Sequence, residues 1–394
     1  MTTKLITPTF LLSWLVNFVQ YLLFYLLVTT TALYAVKEFA ASEAASGLAA
    51  SSFVIGATIA RLFSGYVTDS VGRRPVLLGS VVVVVIASAL YFPAHSLPLL
   101  IGVRFLHGFA YAFASTAVMA VVQSAIPPER RAEGTGYFAL SSTLATAVGP
   151  ALGLFLVQSY SYPVLFTVTL ATSVVALLLA LIVRIPRAPR TQHSRFSLAD
   201  IAHPAVVPIG LFMLLVGLCY SGVITFLNGY ADERGLTTGA GLFFLAYAAT
   251  MLVMRFVLGR VQDSRGDNVV ICLGLTSFTL ALALLSVAQA DWQVVLAGAL
   301  TGLGYGTLMP ACQAIAVSLV PPERLGTGIS TMFLLMDVGL GVGPILLGGL
   351  VSATGYGTMY ALLAGVSVVS AFFYVAVHGR GRGRARPAET SIPR

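Results

Sequence analysis

Residues 65–76 read GYVTDSVGRRPV, a polar stretch between two long apolar runs, and residues 259–270 read GRVQDSRGDNVV in the same setting. Gly65 and Gly259, Asp69 and Asp263, Ser70 and Ser264, and Gly72 and Gly266 all stand 194 positions apart. The echo spreads outward at that one spacing. Gly47 matches Gly241, Arg61 matches Arg255, Gly108 matches Gly302, and Tyr111 matches Tyr305. IPPERR at 126–131 matches VPPERL at 320–325, and VGP at 148–150 matches VGP at 342–344. Many identities in one order at one spacing mean an internal duplication.

Composition names the solvent. Hydrophobic residues make up 58% of the 394 and charged residues 9%, with a mean hydropathy of +0.92. A soluble domain carries roughly 25% charged residues. Apolar runs lie near 9–36, 45–68, 75–93, 97–125, 134–158, 162–184, 204–231, 239–260, 268–289, 293–320, 326–353 and 357–378. They are about 20 residues or longer, enough to cross ~30 Å of hydrocarbon, and with no water to bond their backbones they must be helices. The expectation is an all-α membrane protein of twelve transmembrane helices in two pseudo-symmetric six-helix bundles. The halves are 1–184 and 204–378, with a cytoplasmic connection at 185–203 and a basic tail at 379–394.

Charge placement orients the chain. Of 22 Lys and Arg residues, 17 fall in the termini and in the connections after even-numbered runs, among them Arg131, Arg184, Arg187, Arg190, Arg195, Arg380, Arg382, Arg384 and Arg386. Lys37 and Arg234 stand on the opposite side. This asymmetry predicts a multi-pass protein of the inner (plasma) membrane with both termini cytoplasmic, and it reads the net charge of +8 as topology and lipid contact, not nucleic-acid binding. Lys4 makes a thin positive region before a run too long for a signal peptide. Cys219, Cys272 and Cys312 lie inside predicted helices and form no disulfide or metal-ligand spacing. No phosphate-binding GxxxxGK[ST] stretch, HExxH motif or nucleophile–base arrangement stands out, so neither an enzyme, a cofactor nor a bound metal is expected.

The duplicated polar loop carries the first mechanistic expectation. Gly65 allows a neighbouring helix close, and Gly72 permits a tight turn at φ > 0. Asp69 can then face the positive end of the helix beginning near Leu325, where a carboxylate is favoured. Arg73, Arg74, Glu129 and Arg130 can complete a charge cluster, a latch between the halves. The alternative is a plain turn with snorkelling arginines. Recurrence with Asp263, Arg265 and Glu323 favours the latch, made asymmetric by Gly266-Asp267-Asn268 in place of Gly-Arg-Arg.

These motifs resemble the major facilitator superfamily, whose halves are related by an axis along the membrane normal. GYVTDSVGRRPVL is similar to its signature between helices 2 and 3. LLIGVRFLHG resembles its fourth-helix motif, with His107 where many members have Gln. GYFALSSTLATAVGPALG resembles the fifth-helix motif of proton-antiporting exporters; Gly136, Gly149, Pro150 and Gly153 match, while Ala145 and Leu154 replace glycines. Within the superfamily the chain is similar to bacterial twelve-helix drug:proton antiporters and to exporters of opine-type metallophores. The resemblance implies a secondary transporter, with an inner latch, a coupling role for Arg104, and substrate bound between the halves near the midplane.

Ionisable groups inside the membrane are the remaining functional candidates. Arg104, His107, Tyr111 and Ser115 share one face of the fourth run. Asp337 lies about 12 residues into the eleventh run, roughly 18 Å along it. His107 or Asp337 is expected to carry the proton beside Arg104, unless His107 is a neutral hydrogen-bonded histidine or Asp337 a structural partner of an arginine. The first run holds Asn17, Gln20, Tyr21 and Tyr25, expected to bind substrate, but no embedded carboxylate. Arg61 and Arg255 face the central cavity and favour an anionic or zwitterionic substrate, or else they pair with the loop aspartates or snorkel. Tyr111, Tyr220 and Tyr305, with Tyr21, Tyr25 and Phe226, supply an aromatic wall or simply pack helices. The functional expectation is a proton-coupled exporter of small organic molecules, drug-like or carboxylate-bearing, working as a monomer. An importer or facilitator of organic solutes and a non-transporting solute sensor are the alternatives, separated by transport direction and by flux.

Overall fold

A bilayer gives backbone amides no water, so each apolar run must close its hydrogen bonds within itself. The computed structural model describes residues 5–183 and 200–379, and there the runs are helices. The first half holds α1 (Pro8–Phe39), α2 (Glu43–Ser70), α3 (Arg73–Ala89), α4 (Leu97–Ala125), α5 (Arg131–Ser159) and α6 (Tyr162–Ile182). The second holds α7 (Val207–Arg234), α8 (Thr237–Arg265), α9 (Asp267–Val287) and α10 (Asp291–Ser318), then the stretch Leu325–Tyr374, which Gly355 breaks at φ 80°. The arms are α11 (325–354) and α12 (356–374). Among the described residues eleven helical segments are long and apolar enough to span a membrane. At 17 residues α3 falls just short of that length.

The helix starts follow local chemistry. Proline occupies the first turn of α1, α4, α6 and α7, where its missing N–H costs nothing. Thr7 accepts from the Phe10 amide at 3.2 Å. The matching PPER segments form matching 3₁₀ turns, Pro128–Arg130 and Pro322–Arg324, which lead into α5 and α11. Outward-facing Leu178, Ile182, Leu245 and Phe372 are exposed, the surface expected where the surroundings are lipid. The connections after even-numbered helices share one face, called here the basic side. The predicted connection 185–203 lies outside the described residues up to 199, as does the predicted tail from 380. Residues 200–203 pack on α11, where Asp200 pairs with Arg324 at 3.2 Å and the His203 amide donates to Thr331 Oγ1 at 2.9 Å.

The halves meet through α2 with α11 and α5 with α8, helped by α4 with α11 and α5 with α10. Two glycines make the first two contacts possible. A Cβ on Gly65 would stand 2.7 Å from the Thr327 Cα, and one on Gly259 would stand 2.7 Å from the Glu133 Cα. Both values are far inside van der Waals contact, so these helix pairs pack backbone to backbone. Below Gly65, the Ser64 hydroxyl meets Thr116 at 3.0 Å and Ser330 at 3.3 Å, tying α2, α4 and α11 together. Cysteines at Ser64 and Ser330, in a chain with its native cysteines replaced, should therefore cross-link readily under mild oxidation. Adding Gly65→Val should cut the yield at least about tenfold, since a branched side chain cannot be accommodated there. Equal yields would mean that α2 and α11 do not need the glycine.

Candidate functional site

At the basic side each half lends a carboxylate to the other. Asp69, at the last turn of α2, accepts from the Gly326 amide at 2.8 Å and from the Thr327 amide and hydroxyl at 2.7 and 2.8 Å. Asp263, at the last turn of α8, accepts from the Ala132 amide at 2.9 Å and the Glu133 amide at 2.8 Å. These are the second and third residues of α11 and α5, whose amides have no partner inside their own helices. A carboxylate there also meets the positive helix end. The loop glycines that follow, Gly72 at φ 109° and Gly266 at φ 89°, adopt a backbone that other residues take only under strain.

The charges around this pair differ from the cluster expected from sequence. Glu129 and Arg130 do not join Arg73 and Arg74. Arg73 is buried and donates to the Pro322 carbonyl, with Asp69 and Glu323 as its electrostatic neighbours, while Arg74 is exposed. Arg130 pairs with Glu133 at 2.7 Å, and Glu133 also takes Arg260 of the other half at 2.7 Å. Glu129 is exposed, with Arg131 as its neighbour. The reason is geometric: each loop meets the PPER turn of the opposite half. The two copies are also unequal, as Asp69 is 6% exposed and Asp263 is exposed. Asp267 turns instead to Gln262 at 2.8 Å and His378 at 3.0 Å.

Deeper in, Arg61 does not reach Asp69. Its Nε donates to Asp337 Oδ2 at 2.5 Å, its carbonyl accepts from the Ser330 hydroxyl, and its guanidinium lies 4.5 Å from the Phe333 ring centre. This ion pair joins α2 to α11 about 12 residues into the latter, near mid-bundle. Arg255, the matching arginine, is 6% exposed. Its Nε and Nη1 have no partner, and it has no ion pair among the described residues.

Within the fourth-helix stripe, Arg104 and His107 face protein of their own half, while Tyr111 turns to Tyr21 and Arg61 at the interface. Arg104 Nη2 donates to the Ala50 carbonyl at 3.3 Å and the guanidinium sits 4.9 Å from the Phe53 ring centre. His107 Nδ1 meets the Tyr91 hydroxyl at 3.2 Å, and Ser115 bonds back to Ala112 at 3.1 Å. Arg104 and His107 thus lie inside the first half, packed with α2 and the end of α3, while Asp337 stands between halves. The structure does not gather the three expected coupling residues into one group.

Aromatic residues surround the two arginines. Tyr21 meets Tyr111 edge-on at 5.8 Å and Tyr25 at 6.4 Å. In the other half Tyr220 stacks on Tyr305 at 3.6 Å, and its hydroxyl lies 3.3 Å from that of Tyr247. Tyr21 lies near Arg61, Asp337 and Arg255, and Arg255 near Tyr247, Tyr21 and Tyr305. Phe226 does not join them; it lies against Tyr356, 6.4 Å away, farther along α7. Asn17 is engaged with Ser141 at 2.7 Å, whereas the buried Gln20 amide has neither atom bonded. Gly149 and Gly153 press on α1 at Tyr25 and Leu26, and Gly136 faces the Arg255 carbonyl. Pro150 sits inside α5. Sequence reasoning missed Tyr247, two turns from Arg255 on the same helix face, and Glu133, which occupies the repeat position of Thr327.

Three comparisons bear on identity. A family model described as Major Facilitator Superfamily matches residues 13–269 and 238–393. An uncharacterized MFS-type transporter of Pseudomonas aeruginosa (strain LESB58) is 29% identical over 179 residues, 45% of this chain and 44% of that protein. The match thus spans under half the length of that relative. An uncharacterized MFS-type transporter of Burkholderia mallei (strain SAVP1) is 24% identical over 361 residues, 88% of each. In fold, the chain is similar to the human organic anion transporter MFSD10, with TM-score 0.81 and 18% identity over 93% of this chain and 98% of that one. It is also similar to the proton:xylose symporter XylE, with TM-score 0.76 and 16% identity over 94% and 95%.

If Asp69 holds the basic side shut, Asp69→Asn should loosen it. Hydrogen bonds to a charged group contribute about 1.5–3 kcal/mol each, and ~1.4 kcal/mol is a factor of ten in an equilibrium. Alkylation of a single cysteine at the buried Ser330 position should speed up about tenfold or more in Asp69→Asn, and less in Asp263→Asn, whose carboxylate is exposed and makes fewer bonds. An unchanged rate in Asp69→Asn would remove the latch.

Proposed function

The chain belongs to the Major Facilitator Superfamily, and from that premise we propose that it is a proton-coupled exporter of small organic molecules working by alternating access. Its cargo is drug-like or carboxylate-bearing, anionic or zwitterionic, in the manner of an opine-type metallophore. The basic side is the cytoplasmic side of the inner membrane, by the excess of Lys and Arg there. The observation that carries the proposal is the Arg61–Asp337 ion pair between the halves.

A buried pair of this kind is costly to separate while both partners are charged, since each charge would be left alone in a poor solvent. A proton on Asp337 cancels one charge and with it most of that cost. In the state with the basic side closed, Asp337 takes a proton from the outer face, Arg61 is released, and the halves rock open toward the cytoplasm. There the proton leaves. An anionic substrate then occupies the electropositive interface, and the reverse rocking carries it outward. His107, held by Tyr91 inside one half, has no place in this cycle as the proton carrier. Arg104 steadies α2 against α4. A structural neighbour, human MFSD10, is an organic anion transporter, which supports this reading of the cargo.

Substrate-triggered proton movement in proteoliposomes tests this. Carboxylate amphiphiles should drive proton release in the wild type, and Asp337→Asn should abolish it while leaving the protein in the membrane. A response to lipophilic cations alone would sink the anionic cargo, and flux without proton movement would make the protein a facilitator.

A further inference from the structure

The repeat places Arg61 and Arg255 at one position, Ser330 and Gly136 at another, and Asp337 and Thr143 at a third, each pair 194 residues apart. In the first site, Ser330 of α11 touches the Arg61 carbonyl. Seven residues on, Asp337 takes the guanidinium. In the second site α5 passes Arg255 in the same way: a Cβ on Gly136 would stand 3.4 Å from the Arg255 carbonyl. Seven residues on stands Thr143, whose hydroxyl is spent on the Ala139 carbonyl at 3.1 Å. The second site therefore has the arginine and lacks the carboxylate.

Arg255 is thus a buried guanidinium with Nε and Nη1 unbonded. Arg104 has the same two atoms unbonded, but it lies within one half with Nη2 on the Ala50 carbonyl, whereas Arg255 stands where α8 meets α5 of the opposite half. Such a charge is expensive without a counter-ion, and its planar fork fits a carboxylate through two parallel hydrogen bonds. A cavity of about 20 Å³, room for a single water in this closed state, borders it between α5, α8 and α10, lined by Gly136, Met251, Arg255, Gln262 and Thr307; a larger anion enters as the halves separate. Tyr21, Tyr247 and Tyr305 lie near it, aromatic surroundings suited to a flat ring. We propose that Arg255 anchors the carboxylate of an aromatic or otherwise flat organic anion, which fills the counter-ion position that Thr143 leaves empty. This deepens the exporter proposal and rests on it. It also divides the labour of the two arginines: Arg61 belongs to the resident carboxylate and Arg255 to the cargo.

The test uses the purified full chain in detergent, with no gradient, so it stands apart from proton coupling. Benzoate is the probe, with benzamide as its neutral analogue, and thermal melting is the readout. Benzoate should raise the melting temperature of the wild type in a saturable way and benzamide should not. Thr143→Asp restores the missing carboxylate; it should melt higher without ligand and bind benzoate at least about thirtyfold more weakly. Thr143→Asn should weaken benzoate by no more than about threefold. A readout independent of any ligand guards against a variant that fails to fold. Arg255→Gln should raise the unliganded melting temperature, because it removes an unpaired charge, whereas Arg61→Gln should lower it by orphaning Asp337. Equal effects of benzoate and benzamide, undiminished benzoate binding in Thr143→Asp, or destabilisation by Arg255→Gln to match Arg61→Gln would each overturn the proposal. Loss of proton release with benzoate binding intact would overturn the coupling scheme alone.

Discussion

The first amides of a helix have no acceptor of their own, and this shortage organises the interface between the halves. In α11 and α5 those amides receive a carboxylate carried by the last turn of a helix in the opposite half. The arrangement works only if the helices almost touch, which the glycines at 65 and 259 permit. It also needs the chain to reverse at once after the carboxylate, which the positive φ at 72 and 266 permits. Once α2 and α11 are held at this separation, the rest of their contact follows in register. Ser330 meets the Arg61 carbonyl, and Asp337 meets the Arg61 guanidinium a further two turns along. Charge at mid-bundle is thus positioned by hydrogen bonds at the membrane edge.

Duplication supplied this geometry twice, and divergence then used the two copies differently. Both keep the carboxylate on the helix end, where the need to satisfy amides is the same. They part where charge is at stake. Arg73 of the first copy reaches across to the Pro322 carbonyl, while Asp267 at the same repeat position turns to His378 beyond α12. Asn268 likewise accepts from the Tyr374 hydroxyl at 2.9 Å, so the second loop is tied to its own half. The second interface gains its ion pair from Arg260 and Glu133 instead. In mid-bundle the first copy closes its arginine with Asp337 and the second leaves Arg255 open. On the proposed exporter cycle, one contact is released and one place takes cargo, and two inequivalent copies of one motif serve both needs.

The polar face of α4 shows how a membrane bundle can absorb an arginine without exposing it. Arg104 is fully buried; a carbonyl of α2 takes its Nη2 and the face of Phe53 lies against it, while its Nε and Nη1 are unbonded. Both partners belong to the same half, so this contact can persist while the halves move. The Arg61–Asp337 pair has its partners in different halves and must break when the α2–α11 contact opens. Position relative to the interface therefore separates an arginine held within one half from one shared between the halves, although both are arginines in an apolar setting.

From the sequence alone came the membrane environment, the helical class, the duplication and the pairing of equivalent positions. Each rests on composition, run length or a fixed spacing, which are properties of the chain in one dimension. The approach of Asp69 to the helix beginning near Leu325 was also legible, because a carboxylate beside a glycine turn has few favourable places to go. What the chain could not reveal was which side chains meet across the interface, since that depends on how the two bundles are set against each other. Arg61 finds Asp337, 276 positions away, and Glu133 finds Arg260, 127 positions away; no local period links such pairs. The shared face of Arg104 and His107 was readable as a stripe, but not that it turns into its own half. The inequality of Arg61 and Arg255 needed both kinds of knowledge. The repeat spacing says that Thr143 stands where an aspartate stands in the other copy, and only the packed structure shows the Arg255 guanidinium buried with Nε and Nη1 unbonded.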